Sequence, residues 1–272
     1  MARVPARRIA ALAGVLLLVG SGAAMARGAI YQGGPVMLGT NHIYYVWYGN
    51  WIGTSSTSIL DDMASHIGGT PYWNIETTYY EIVNGVKKFV SNSLTFGGEY
   101  FDSYSQGKSL NDSAVLAVVE NAIQQHLPLD ASGIYLVLAS ADVKETSGFC
   151  TAYCGWRNHA TYHGTDLKYG FVGDPAACPS ACEPPPGHSP NGDPAIDAMA
   201  GTIVHLLDET VMDPDFNAWL CQSGIDCADL CSFGPTFTCN GALADVMWGA
   251  RCYYVPENWK NAGSGSCVMH YP

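Results

Sequence analysis

The stretch DPAIDAMAGTIVHLLDETVMDP, residues 193–214, predicts the longest helix of this 272-residue chain. Asp193 is a favourable N-cap, Pro194 suits the first helical position, and Pro214 cannot continue a helix. Apolar residues at helical spacing form one face: Ile196, Met199, Ile203, Leu206, Leu207 and Val211. Polar and small residues form the other: Asp197, Gly201, His205, Asp208 and Glu209. We therefore expect one face to pack on a core and the other to be available for binding or for solvent.

The polar face of this helix contains a candidate metal site. His205 and Glu209 are four residues apart, so their side chains project side by side, with Asp213 near the end of the same row. Zinc accepts both imidazole nitrogen and carboxylate oxygen. The zinc-peptidase motif HExxH has its general base directly after the first histidine, and Leu206 occupies that position here. The alternative is a solvated His/Glu pair of little energetic weight.

Two further histidines are candidate ligands. His159 and His163 follow Cys154 in GWRNHATYHG, residues 155–164. Either could complete a zinc site with His205. The alternative is that both lie in a solvated loop beside the cysteines.

All ten cysteines lie between residues 150 and 267. Two C-x3-C pairs would permit a tetrathiolate zinc site, but the usual spacing in such pairs is two, and export oxidises thiols. We expect disulfides, formed either within each C-x3-C pair or between more distant cysteines. Bridges that close longer loops contribute more stability. The predicted disulfide cysteines are Cys150, Cys154, Cys178, Cys182, Cys221, Cys227, Cys231, Cys239, Cys252 and Cys267.

The N-terminus predicts export. Residues 1–26 combine a basic start, an apolar run and the small-residue cleavage site Ala24-Met25-Ala26, which is typical of a signal peptide. An uncleaved anchor is the alternative, although the apolar run is short. We expect residues 27–272 to form a single domain that is secreted and has no membrane contact after cleavage. A net charge of −12 with only 12 Lys and Arg residues argues against a nucleic-acid partner.

The part of the chain before the cysteines predicts alternating strands and helices. Residues 42–48 and 133–140 are typical of strands, whereas residues 56–67 and 111–126 have helical periodicity. Residues 72–83 look extended. The predicted class is α+β, with a mixed sheet, packed helices and a disulfide-stabilised C-terminal half.

Aromatic residues suggest a second kind of site. Trp47, Trp51, Trp73 and nearby tyrosines could stack on the apolar faces of sugars, as in a carbohydrate-binding module. The alternative for this region is a half-buried strand.

Five co-linear segments resemble the EXORDIUM-like, or phosphate-induced protein, family. They are IYYVWYGNW (43–51), GIYLVLASADV (133–143), GFCTAYCG (148–155), FVGDPAACPSAC (171–182) and PNGDPAIDAM (190–199). The resemblance implies a secreted protein of the cell wall or extracellular space, associated with growth or signalling, whose partner is a wall polysaccharide or an extracellular protein. It does not imply a defined activity.

The segment His205 to Trp219 also resembles microbial relatives that have a glutamate after the histidine, as zinc peptidases do. That resemblance implies a zincin-like layout in which the missing base weakens hydrolysis. The rival hypothesis is an active metal-dependent hydrolase in which Asp208 or Glu209 replaces the base.

Overall fold

The computed structural model describes residues 7–8, 28–51, 54, 56–221 and 224–272. The predicted signal peptide lies outside the described residues except for the backbone of residues 7–8. The α-helices are α1 (Ser56–His66), α2 (Asp112–Gln125), α3 (Pro179–Cys182) and α4 (Pro194–Met212). Short 3-10 helices are Trp73–Thr78, Pro175–Ala177 and Cys227–Leu230.

Most strands outside the main sheet are two to four residues long and form small two-stranded ladders. The strands are β1 (Arg7–Arg8), β2 (Ile30–Tyr31), β3 (Asn41–Tyr48), β4 (Tyr80–Val83), β5 (Val86–Phe89), β6 (Leu94–Asp102), β7 (Ser109–Leu110), β8 (Gly133–Ala139), β9 (Lys144–Glu145), β10 (Gly155–Tyr162), β11 (Thr165–Gly173), β12 (Trp219–Leu220), β13 (Phe237–Cys239), β14 (Ala242–Ala244), β15 (Val246–Trp248), β16 (Arg251–Tyr253), β17 (Asn258–Lys260) and β18 (Ser266–Val268).

One mixed sheet organises the fold, in the strand order β1-β10-β11-β8-β3-β6. Strands β6, β3, β8 and β11 are mutually parallel. At one edge, β10 pairs antiparallel with β11, and β1 pairs antiparallel with β10. Helices α1 and α4 contribute to the core on one face, and α2 to the core on the other. The predicted α+β class with a mixed sheet is confirmed. A zincin-like layout is not supported, because parallel crossovers place helices on both faces of this sheet.

Strand β3 explains why the N-terminal part is so aromatic. Tyr45 and Trp47 pack with α1 and α4, whereas Tyr44, Val46 and Tyr48 pack with α2. A central parallel strand is covered on both faces, so residues 43–48 are all apolar or aromatic rather than alternating, and the polar Asn41 lies at the amino end of the strand.

The same burial removes the predicted aromatic sugar platform. Trp47 and Trp73 are fully buried and Trp51 is 5% exposed. Trp51 donates its Nε1 proton to the carbonyl oxygen of Leu138, inside the protein. These rings are therefore core residues and have no face available for stacking on a polysaccharide.

Two local predictions need correction. Residues 72–83 are not continuously extended, because residues 73–78 form a 3-10 helix before β4 begins. The Thr70 hydroxyl accepts a hydrogen bond from the Trp73 N–H at the start of that helix. His159 is not in a loop but on β10, part of a long hairpin with β11, and the exposed His163 lies in its turn. Three consecutive polar residues, Arg157, Asn158 and His159, interrupt the apolar pattern of β10, so the sequence did not predict this strand.

The ten cysteines form five disulfides, as predicted: Cys150–Cys178, Cys154–Cys182, Cys221–Cys227, Cys231–Cys267 and Cys239–Cys252. The two C-x3-C pairs are linked crosswise to each other rather than within themselves. A tetrathiolate zinc site is thereby excluded, since no cysteine is free.

In the part of the chain that is described, no helix has both the length and the apolar character needed to cross a bilayer.

Asp245 should make stability depend on pH. Burial raises its pKa to about 7, although the Val255 N–H donates to Oδ1. The unfolded pKa is near 3.9, so the stabilising contribution of the protonated carboxyl is complete below about pH 4 and is lost as the pH rises towards 7. Between pH 4 and pH 7, we expect the free energy of unfolding to fall by roughly 2 kcal/mol less in Asp245→Asn than in the wild type, as measured by urea unfolding. This value is smaller than the full pKa difference implies, because the carboxyl has partial solvent access.

Asp142 supplies the control for this measurement. Hydrogen bonds from Lys108 and Ser140 lower its pKa to about 2, so it stays ionised throughout this range. Asp142→Asn should leave the slope between pH 4 and pH 7 unchanged. Equal slopes for wild type and Asp245→Asn would contradict the assignment.

Candidate metal centre

The second half of α4 brings His205 and Glu209 together. His205 Nε2 lies 3.1 Å from Glu209 Oε1, as the spacing of four residues requires. Both residues are buried, with side chains 11% and 6% exposed. The alternative of a solvated His/Glu pair does not describe this part of the helix, where His205 and Glu209 are both buried.

The third candidate ligand is Asp229, which the sequence analysis did not identify. It lies on the 3-10 helix Cys227–Leu230, and its Oδ1 is 3.3 Å from His205 Nε2. One ligand atom each of His205, Glu209 and Asp229 lie within 4.8 Å of one another. Disulfides at Cys227 and Cys231 hold both ends of the short helix that supplies Asp229. The Asp229 side chain is 37% exposed, so the cluster opens to solvent on that side.

His205 Nε2 is the atom that points to a ligand. It is buried and makes no well-directed hydrogen bond within the described part of the chain, although two carboxylates lie close by. Burial alone would lower the pKa of His205, but Glu209 and Asp229 raise it well above its usual value. One nitrogen and two carboxylate oxygens suit a zinc ion, which could take a further ligand from the solvent side.

Asp213 does not join this cluster. It is the residue that ends α4, and its Oδ1 accepts a hydrogen bond from the Ala218 N–H at 2.5 Å. Burial, and next the neighbouring Asp226, raise the pKa of Asp213 to about 7. The row of three residues on the helix surface is broken because Asp213 leaves helical geometry.

Arg157 is the central cation beside the cluster and was also missed. It is 2% exposed and reaches α4 from β10. Its Nε donates to Glu209 Oε2 at 3.2 Å, its Nη1 to the Asp213 carbonyl oxygen at 2.8 Å, and its Nη2 to Asp226 Oδ2 at 2.7 Å. Glu209 thus has one oxygen fixed by Arg157 while the other faces His205, an arrangement that orients a metal ligand.

Acidic groups outnumber cations around the end of α4. Arg157 and His205 pair with four carboxyl groups, and two more lie close by; the six are Glu209, Asp213, Asp226 and Asp229, then Asp208 and Glu76. Burial raises the pKa of Asp208 to about 8 and also raises the pKa values of Glu76 and Glu209. These raised pKa values favour the protonated forms of Glu76 and Asp208 near neutral pH, so these two carboxyls add little negative charge beside the His205 cluster.

His159 belongs to a different cluster, with Asp166 and Asp215. Lys168 already contacts both of those carboxylates, with its Nζ 2.7 Å from Asp215 Oδ1. The ammonium therefore occupies the position that a metal ion would take. His163 belongs to neither of these two clusters.

The groups proposed as a general base are not placed for that role. Leu206, which occupies the position of the base in the zinc-peptidase motif, is fully buried on the core side of α4. Asp208 lies off the cluster, and its Oδ2 accepts a hydrogen bond from the Tyr72 hydroxyl at 2.7 Å. Glu209 itself would be a ligand.

The comparison with family models decides the relationship of the chain. Residues 30–247 match the model described as "Phosphate-induced protein 1 conserved region". The matched region contains five of the six strands of the main sheet, α4 and the His205 cluster. The chain belongs to the phosphate-induced protein 1 family. The matched region contains Glu209 and Asp229 and ends before Cys252.

Curated relatives of the chain include EXORDIUM-like proteins of Arabidopsis thaliana. Protein EXORDIUM-like 5 is 32% identical over 216 residues, covering 70% of this chain and 58% of the relative. Protein EXORDIUM-like 3 is 29% identical over 231 residues, covering 74% and 67%. The chain thus spans less than two thirds of the length of the first relative. No solved structure shows a significant match.

Proposed function

We propose that this member of the phosphate-induced protein 1 family acts outside the cell, in wall-associated growth or signalling, and holds a structural zinc ion between His205, Glu209 and Asp229. The observation that carries the zinc site is the convergence of three ligand atoms within 4.8 Å, one of them a buried Nε2 that makes no well-directed hydrogen bond to any described residue. Five disulfides support the extracellular assignment, because such bonds persist in oxidising compartments.

A structural role is favoured over catalysis by the positions of the acidic side chains. A zinc hydrolase needs a base beside the metal-bound water. Asp208 is held by Tyr72, Glu209 is bonded to Arg157 on one oxygen and faces His205 with the other, and Leu206 offers no polar atom. Zinc would instead join α4 to the 3-10 helix that carries Asp229. That short helix is otherwise held by two separate disulfides, at Cys227 and Cys231.

Zinc binding to the secreted protein tests this proposal. Protein recovered from the culture medium, stripped with a chelator and given zinc should bind one ion per chain and show a higher thermal midpoint. A ligand present at 100 times its Kd stabilises by about 2.7 kcal/mol. His205→Ala and Glu209→Gln should abolish both the binding and the rise, because the first removes the nitrogen ligand and the second replaces a charged carboxylate ligand by a neutral amide.

His163→Ala is the matched control, since it removes an exposed histidine remote from the cluster and should bind zinc like the wild type. Unchanged zinc binding in His205→Ala would refute the site. Recovery of the chain only inside cells, with reduced cysteines, would refute the extracellular assignment independently.

A further inference from the structure

A cavity of about 200 Å³ lies at the amino end of the parallel strands, away from the disulfide-rich loops. One wall is the segment 35–38, which is attached to the end of α4 by a hydrogen bond from the Met37 N–H to the Val211 carbonyl oxygen. Pro214 lines the cavity as well. The polar lining residues are Asn41, Ser132, Asp166 and Lys168.

Asn41 makes this cavity unusual. It is 1% exposed, and neither its amide oxygen nor its amide nitrogen has a hydrogen-bond partner among the residues described. Folded proteins leave few buried polar groups unsatisfied, and an ordered water or a ligand is one physical explanation for such a group where it lines a cavity. A complete side-chain amide left without partners offers one donor group and one acceptor in fixed geometry.

Strand register directs Asn41 and Lys168 to the same face of the sheet. Asn41 has the same parity as Ile43 and Tyr45, which face the core of α1 and α4. Lys168 has the same parity as Val172, which belongs to that core. Because side chains alternate along a strand, both residues project to the side where the cavity lies.

The charges of the lining select the class of ligand. Lys168 is buried, and its ammonium already contacts Asp166 and Asp215. Two carboxylates against one ammonium leave no positive charge available for an anion. The remaining donors and acceptors, beside the aliphatic walls of Val36, Met37 and Leu38, suit a neutral ligand with adjacent hydroxyl groups and C–H faces.

We propose that this cavity binds a neutral sugar unit, with the Asn41 amide bonded to two adjacent hydroxyl groups. Asp166 would accept from a third hydroxyl at the rim, and the segment 35–38 would cover the apolar face of the ring. The site uses no tryptophan and is independent of the zinc ligands.

Saturation-transfer NMR with xylose, arabinose, galactose and glucose, in the presence of a chelator, tests the proposal. The efficiency of small ligands gives an expected Kd on the order of 1 mM for the preferred sugar. Asn41→Leu should weaken binding at least tenfold while the protein remains folded, since no existing hydrogen bond is removed. Asn41→Ser, which is smaller, serves as a second variant if leucine disturbs the packing.

The matched control is Asn92→Leu, which alters another asparagine with an unpaired amide oxygen outside the cavity and should leave sugar binding intact. Galacturonate and inorganic phosphate should bind more weakly than the neutral sugars. Absence of binding by all four sugars, undiminished binding in both Asn41 variants, or tighter binding of the anions would each overturn the proposal and indicate a cavity that holds only water. The chelator keeps these outcomes separate from those of the zinc experiment.

Discussion

Replacing Arg157 by methionine is expected to lower the free energy of unfolding by about 4 kcal/mol. Methionine fills much of the same volume, so the loss is electrostatic rather than a cavity effect. The variant leaves Glu209 and Asp226 buried without their cation, and the Asp213 carbonyl oxygen loses a donor at 2.8 Å. Breaking a buried ion pair from one side is costly because the remaining charge is neither hydrated nor paired.

Urea unfolding of Arg157→Met at neutral pH measures this effect. Arg157→Lys should recover only part of the loss, since an ammonium cannot reach three acceptors in different directions as the guanidinium does. Lys88→Met, which removes an exposed cation from β5, is the control and should change stability by less than about 0.5 kcal/mol. A loss below about 1 kcal/mol in Arg157→Met would show that Arg157 is not the central cation of this network.

Removal of the two crosswise disulfides is expected to have the largest effect, on the order of 6 kcal/mol. Cys150–Cys178 and Cys154–Cys182 each close a separation of 28 residues, and the second bridge closes a shorter effective loop once the first has formed. The helix α3 that they anchor has no buried residue of its own. Packing therefore contributes little to holding this segment when the bridges are absent.

The four cysteines are replaced by serine for this measurement, and unfolding is followed by urea titration of the secreted chain. Cys221→Ser with Cys227→Ser is the matched control, because that bridge closes a separation of only 6 residues and should cost about 2 kcal/mol. An equal loss of unfolding free energy in the four-serine variant and in the two-serine control would show that loop length does not govern the contribution of these bridges.

The sequence alone was enough for the elements with strong periodicity. Helix α4 begins and ends where Asp193, Pro194 and Pro214 predict, and α2 begins after Asn111, whose side chain accepts from the Ala114 N–H. Strands β3 and β8 were identified by their continuous apolar and aromatic residues. These signals are local, since capping and periodicity act within a few residues.

Half of the candidate site could be predicted, because His205 and Glu209 lie on one helix at a spacing of four. Asp229 and Arg157 could not, since they lie 20 or more residues away and reach the cluster only through the fold. Asn41 likewise reads as an ordinary polar residue before a strand. Its missing partners become evident only in the folded structure, where Asn41 is buried and lines a cavity together with Lys168 of β11.

The sequence by itself therefore determined the family, the number of cysteines available for pairing and the segments that form α2, α4, β3 and β8. The tertiary structure alone decided the crosswise pairing of Cys150 and Cys154 with Cys178 and Cys182, the burial of Trp47, and the third ligand of the His205 cluster. The physical reason is one of range: local hydrogen bonds and side-chain periodicity are written in consecutive residues, whereas burial and charge pairing depend on which distant segments the packing of the sheet brings into contact.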